Sequence, residues 1–160
     1  MCNEIIKYKA YIPELNKVLP VKFLDFHRDL ESKPREFNGK VDVYVFVNET
    51  DTGLWVFPEY CKLLKYTGKK DREDKEIYQG DIISYNWNIT ENSSDQYAKV
   101  IYSEEFSCFG IKWLGDVHPD DIGFKPLVNT EYHDLELEWD LSKFKVVGNI
   151  YENSGLFGVV

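Results

Sequence analysis

The sequence predicts a mostly β protein, with multi-stranded antiparallel sheets and few short helices. Three observations carry that expectation. Aromatic residues make up 16% of the 160 residues, with 11 Tyr and 10 Phe against a single Met, and such side chains suit a half-buried pleated surface. The apolar runs are short and are cut by Gly, Pro and Asn, instead of recurring at helical spacing. β-branched residues gather in runs such as 41–47 and 82–83. The length fits one domain over 1–160, enough to bury a core.

Taken in order, residues 5–11 alternate from Ile6 and read as a strand that ends before Pro13. Residues 21–26 are apolar and bracketed by Pro20 and Arg28-Asp29. At that length they read equally as a strand or one turn of helix. Residues 31–40 are loop. Residues 40–47 (KVDVYVFV) make the clearest strand, with Val41, Val43, Val45 and Val47 on one face. A turn at 48–53 leads to a strand at 54–57 that Pro58 stops, and 61–64 lead into a long charged segment. Beyond it, 82–87 read as strand and 88–96 as a polar loop. Strands follow at 97–102 and 106–114, the second holding Gly110 as a bulge or a point of close approach. Residues 116–129 form an irregular excursion. Residues 135–141 alternate strictly, as a half-buried strand or a short helix, and 144–151 close the ordered part.

Charge is uneven along the chain. The net charge is −9, yet residues 1–80 hold 14 basic and 14 acidic side chains while 81–160 hold 5 and 14. An acidic balance repels phosphate backbones and argues against direct nucleic-acid binding. Cys2, Cys61 and Cys108 are far apart and form no CxxC pair, so neither a zinc knuckle nor a disulfide framework is expected. No basic segment leads into a long apolar one, and no apolar run is long enough to span a bilayer. The sequons at Asn48, Asn88 and Asn92 carry no meaning without secretion. The expectation is a reduced, cytoplasmic protein without a membrane partner.

The organising stretch is 63–85, LLKYTGKKDREDKEIYQGDIISY. An apolar entry reaches Gly68, a run of alternating charge follows, and Gly80-Asp81 turns the chain into Ile82-Ile83. Together with the ending at 147–153 it resembles the YopX family of phage and prophage proteins. The resemblance rests on Tyr66-Thr67-Gly68, Asp71, Ile77-Tyr78, Gly80-Asp81-Ile82 and Val147-Gly148-Asn149-Ile150-Tyr151-Glu152-Asn153, with an opening at 6–11 similar to the family's. In the charged run this chain has Arg72-Glu73 where the family often has Asn-Gly. The resemblance implies a β structure mixing barrel and sandwich features and a role as a phage accessory protein in the host cell. It implies no catalytic residues.

Each candidate for chemistry has a plainer reading. Residues 78–83 resemble the entry to a small SH3-like barrel, where Asp81 holds the turn instead of a ligand. His118, Asp120 and Asp121, with Glu131, His133 and Asp134, offer metal-type donors but no recognised ligand spacing. Cys108 reads as a core residue and Glu104-Glu105 as a charged turn. Lys65, Lys69, Lys70, Arg72 and Lys75 are interleaved with Asp71, Glu73, Asp74 and Glu76, so 63–85 reads as a self-compensating loop more than a nucleic-acid site. Glu136, Glu138 and Asp140 share one face of a strand at a repeat of about 7 Å, and the acidic segment 131–140 invites a phosphate-mimic reading. Alternation alone explains the same residues. The expected function is therefore a non-enzymatic accessory protein that binds a protein partner, with no cofactor, metal or catalytic site. A nucleic-acid-binding module is the alternative, as is an acidic inhibitor of a nucleic-acid-binding protein.

Overall fold

The structure, a computed structural model, describes residues 7–25, 42–46, 53–56, 58–85, 96–115, 123–127, 143–153 and 155. It is mostly β, with two antiparallel sheets, one curled into a half-barrel. The chain divides into two compact units, Met1–Lys65 and Tyr66–Val160.

In the first unit, β1 (Tyr8–Ile12), β2 (Lys17–Asp25), β3 (Asp42–Phe46) and β4 (Gly53–Val56) pair antiparallel in sequence order. The start of β5 (Lys62–Lys70) lies on the other side of β1, with Ala10 opposite Leu63. Pro13 opens a 3-10 turn between β1 and β2, and Asn16 closes it at φ 48, a left-handed conformation that Asn tolerates. The segment after Pro20, open between strand and helix in sequence, is strand. Pro20 interrupts nothing because the partner changes there: Lys17 to Pro20 pair with β1, and β2 passes to β3 from Val21. A proline without an N–H is tolerated at such a break in the ladder. Ala10, Ile12 and Val56 form the core of this unit, with Leu19, Val21, Leu24, Cys61 and Leu63 packed on it.

The second unit holds the rest of β5, β6 (Glu76–Tyr78), β7 (Asp81–Tyr85), β8 (Gln96–Ser103), β9 (Cys108–Leu114), β10 (Lys125–Pro126) and β11 (Phe144–Asn149). The sheet order is β10-β9-β8-β7-β11, and all neighbours are antiparallel. Every residue of β7 is buried. That fits the unbroken Ile82-Ile83 pair, because a strand covered on both faces loses its polar alternation. Ile77, Ile83, Ala98, Val100, Ile111, Leu127 and Val146 pack around three aromatics. Tyr85 sits between them, 6.1 Å from Trp113 edge-on and 4.8 Å from Phe144.

Several boundaries differ from the sequence expectation. β2 begins at Lys17 and not after Pro20. Gly53 and Gln96 begin β4 and β8 and are not loop, and the excursion at 116–129 holds the short β10. β5 continues through the first two lysines of the charged run to Lys70, so the loop is only 71–75. The strand expected from Phe106 starts at Cys108, because residues 104–107 make the turn. The side-chain alternation of Val41 to Val47, the loop expected at 31–40, the loops expected at 48–53 and 88–96 apart from Gly53 and Gln96, and the alternating segment 135–141 lie outside the described residues.

Candidate functional site

Apart from the opening at 6–11, the motif residues that carry the family resemblance come together in the second unit. Their polar groups bond backbone and one another. At Tyr66-Thr67-Gly68 the β5–β6 hairpin shifts register, since Tyr66 faces Tyr78 and Lys70 faces Glu76. Gly68 absorbs the extra length at φ 81. The Thr67 hydroxyl repairs the interrupted ladder by donating to the Ile77 carbonyl at 2.8 Å and accepting from the Lys69 N–H at 3.2 Å. Tyr66 and Tyr78 pack ring on ring, 5.4 Å apart. The Tyr78 hydroxyl donates to Glu76 Oε2 at 2.7 Å; burial and then that carboxylate push its pKa well above the usual phenol range.

Asp71 forms the first of two clasps. Its Oδ1 accepts the N–H groups of Glu73 and Lys75, both at 2.9 Å, and closes the tight loop in which Asp74 takes φ 65. Its Oδ2 accepts the Val146 N–H at 2.8 Å, while the Arg72 N–H donates to the Phe144 carbonyl at 3.0 Å. β11 is the outer strand of its sheet, so its outward backbone groups need partners from elsewhere. The loop supplies them: one peptide N–H and one carboxylate oxygen stand where a further strand would pair. Lys145 Nζ adds an ion pair with Glu73 Oε1 at 2.7 Å. Burial pushes the Asp71 carboxyl up, but the N–H donors of Val146, Lys75 and Glu73, with the Lys75 charge, outweigh it and hold the pKa below the ordinary value.

Asp81 forms the second clasp. Oδ2 accepts the Tyr78 N–H at 2.8 Å across the Gly80 turn, and Oδ1 accepts from Asn149 Nδ2 at 3.1 Å. Asn149 Oδ1 accepts the Tyr151 N–H, and Asn153 Oδ1 accepts the Asn149 N–H, both at 3.0 Å. Gly80 joins through backbone alone, donating to the Val100 carbonyl and accepting from Ile150 at 2.9 Å each. Its φ is 87, and a Cβ there would stand 2.9 Å from Tyr151 Cε2. At Gly148 a Cβ would meet Asn153 Oδ1 at 2.7 Å. So the closing Gly-Asn-Ile-Tyr-Glu-Asn phrase is shaped to lie against Gly80-Asp81.

The expected turn-holding role of Asp81 is what the geometry displays, and its bond to Asn149 was not legible in sequence. Cys108 is half-buried at the start of β9, and Cys61 is half-buried in the first unit, where burial pushes its thiol up and away from a reactive thiolate. Lys70 pairs with Asp74 at 2.8 Å, as interleaved charge predicts. Among the described residues no three His, Cys, Asp or Glu side chains gather as metal ligands. The metal-type candidates His118, Asp120, Asp121, Glu131, His133 and Asp134 lie outside the described residues, as does the acidic segment 131–140. No described helix is long and apolar enough to cross a membrane.

Sequence reasoning passed over one surface feature. Phe106 in the β8–β9 turn is 58% exposed. Its ring stacks on Phe124, with centroids 5.3 Å apart and planes within 2°.

Comparison with known proteins is consistent with this geometry. No curated protein matches the chain. A solved structure, protein EF1440 from Enterococcus faecalis, is similar with a TM-score of 0.52, over 95% of this chain and 97% of that one, at 16% identity. That likeness concerns the fold alone. The family model described as "YopX protein" matches residues 7–158, which takes in both clasps and nearly the whole length. The chain belongs to the YopX family.

Proposed function

We propose that this protein is a non-enzymatic phage or prophage accessory protein that acts in the host cell by binding a protein partner. One observation carries the reading. The polar motif residues Thr67, Asp71, Tyr78, Asp81 and Asn149 bond the protein's own backbone and neighbouring side chains, while the β8–β9 turn displays an aromatic side chain to solvent. General acid–base or nucleophilic chemistry needs a titratable group within reach of a substrate. Asp71 and Asp81 are both buried and face inward N–H donors, the arrangement of structural carboxylates. Binding asks only for a displayed surface with an anchor, and large aromatics are the commonest anchors at protein interfaces. The phage setting and the host cytoplasm follow from what the family resemblance implies.

Affinity capture from a host lysate tests this reading. Tagged wild-type chain is expected to retain a protein that a Phe106→Ser variant of unchanged circular dichroism loses. Retention of nothing above background, or genuine turnover in hydrolase and nuclease screens, overturns it.

A further inference from the structure

The β8–β9 turn carries more than folding requires. It is closed by the Ser107 N–H and hydroxyl, which donate to the Glu104 carbonyl at 3.3 and 3.4 Å, and by the Phe106 N–H, which donates to Ser103 Oγ at 3.3 Å. None of these bonds involves the Phe106 side chain, so the hydrogen bonds that close the turn do not call for a phenyl ring there. An exposed phenyl group forgoes the stabilisation of burial, yet Phe106 is the most exposed large apolar side chain among the described residues. Its partner ring is anchored. Phe124 lies against Gly110 of β9, where a Cβ would run into the ring and into the Lys125 carbonyl. The stack therefore has a fixed ring beneath and a displayed ring above.

The charge within the turn itself is one-sided, the nearest cation in sequence to the stack being Lys125 beside Phe124, on the strand paired with β9. Glu104 and Glu105, in the same turn, are exposed, and among the described residues neither carboxylate has an ion-pair partner. No Lys or Arg occurs between Lys99 and Lys112. Phosphate is repelled by such a rim. A cation is attracted, and the ring face of Phe106 favours a flat, weakly hydrated one. A guanidinium meets both demands, stacking on the aromatic face while its N–H fork engages carboxylate; an ammonium is a strongly hydrated point charge and gains less.

We propose that the Phe106–Phe124 stack, with Glu104 and Glu105, docks an arginine side chain on a basic segment of a protein partner. This rests on the protein-binding reading and names the chemistry of the contact.

Fluorescence anisotropy with the full chain tests it at low salt, using a labelled Arg-Gly repeat peptide, its Lys-Gly counterpart and an oligothymidine. The arginine peptide is expected to bind roughly two- to fivefold more tightly than the lysine peptide. Phe106→Ala leaves net charge unchanged and should abolish that difference, whereas Phe106→Trp should keep or enlarge it. Glu104→Gln with Glu105→Gln should weaken both peptides. Equal binding of the two peptides, or an arginine preference that survives Phe106→Ala, overturns the proposal. Oligothymidine binding that needs Phe106 and strengthens when the glutamates are neutralised would assign the surface to single-stranded nucleic acid instead. A partner captured from lysate through Phe106, with no arginine preference, sinks this inference and leaves the protein-binding reading standing. An arginine preference with empty lysate capture locates the failure in that reading.

Discussion

Asp71 concentrates several functions in one carboxylate. Three backbone N–H groups converge on it from two places in the chain, and only 7% of the residue is exposed. Replacing it by Ala leaves the Val146 donor buried without its acceptor and opens the 71–75 turn. Each such loss costs about 1–3 kcal/mol, so Asp71→Ala should destabilise the protein by about 3 kcal/mol in urea unfolding. Asp71→Asn keeps one acceptor oxygen but turns an amide donor toward other donors, and should fall between. The depressed pKa gives the charged form extra stability in the folded state. That contribution is present above the unfolded-state value near 3.9 and is lost as pH falls through the lower folded value. The wild type should therefore lose stability more steeply below about pH 4 than Asp71→Asn does. Parallel acid limbs in thermal melts would rule the clasp out as their source.

At the scale of elements, the glycines separate conformational need from steric need. Gly68 and Gly80 both sit at positive φ, 81 and 87, but nothing lies within 4 Å of a Cβ on Gly68, whereas one on Gly80 meets Tyr151. Gly68→Ala should cost only the left-handed backbone term, about 1 kcal/mol. Gly80→Ala must add displacement of the Tyr151 ring and of the Asn149 turn, and should cost at least twice as much. Equal losses in denaturant titrations would mean that Tyr151 yields freely. These elements also mark how far the sequence could be read. The turn at Gly80-Asp81 was legible because Asp81 bonds the Tyr78 N–H three residues away, and local polar chemistry is visible in local order. Gly110 was legible only as a bulge or a close approach; the close approach, and Phe124 as the approaching group, came from the structure. The span of β2 was obscured by Pro20, which reads as a stop unless one knows that the strand changes partners there. What could not be read were the bonds from Asp71 to Val146 and from Asp81 to Asn149, across 75 and 68 residues. Periodicity records which face a residue occupies, not which distant backbone it meets.

Across the molecule, those two long-range bonds give the C-terminal strand a decisive place in the second unit. β11 fills the edge of the sheet beside β7, contributes the fully buried Phe144 and the nearly buried Val146, and receives both clasps. Losing a buried Phe alone costs about 3–5 kcal/mol, comparable with the whole stability of a marginal domain. Removing residues 143–160 would also strip the Asp71 carboxylate of its long-range donor and bare β7, every residue of which is buried. The truncated chain is expected to lose the near-ultraviolet circular dichroism of the Tyr85–Trp113 pair and the hydrogen-exchange protection of β7 to β9 together. A peptide of residues 143–155 added in excess should restore both in part, since the clasps are non-covalent and an exposed strand edge accepts a returning strand. Asn149→Ala in that peptide removes the donor to Asp81 and the acceptor for the Tyr151 N–H, and should weaken rescue about tenfold, as loss of a bond to a charged group implies. If the truncated chain keeps its aromatic dichroism and protected amides, β11 only decorates a unit that folds without it, and the clasps would not be what holds the second unit together.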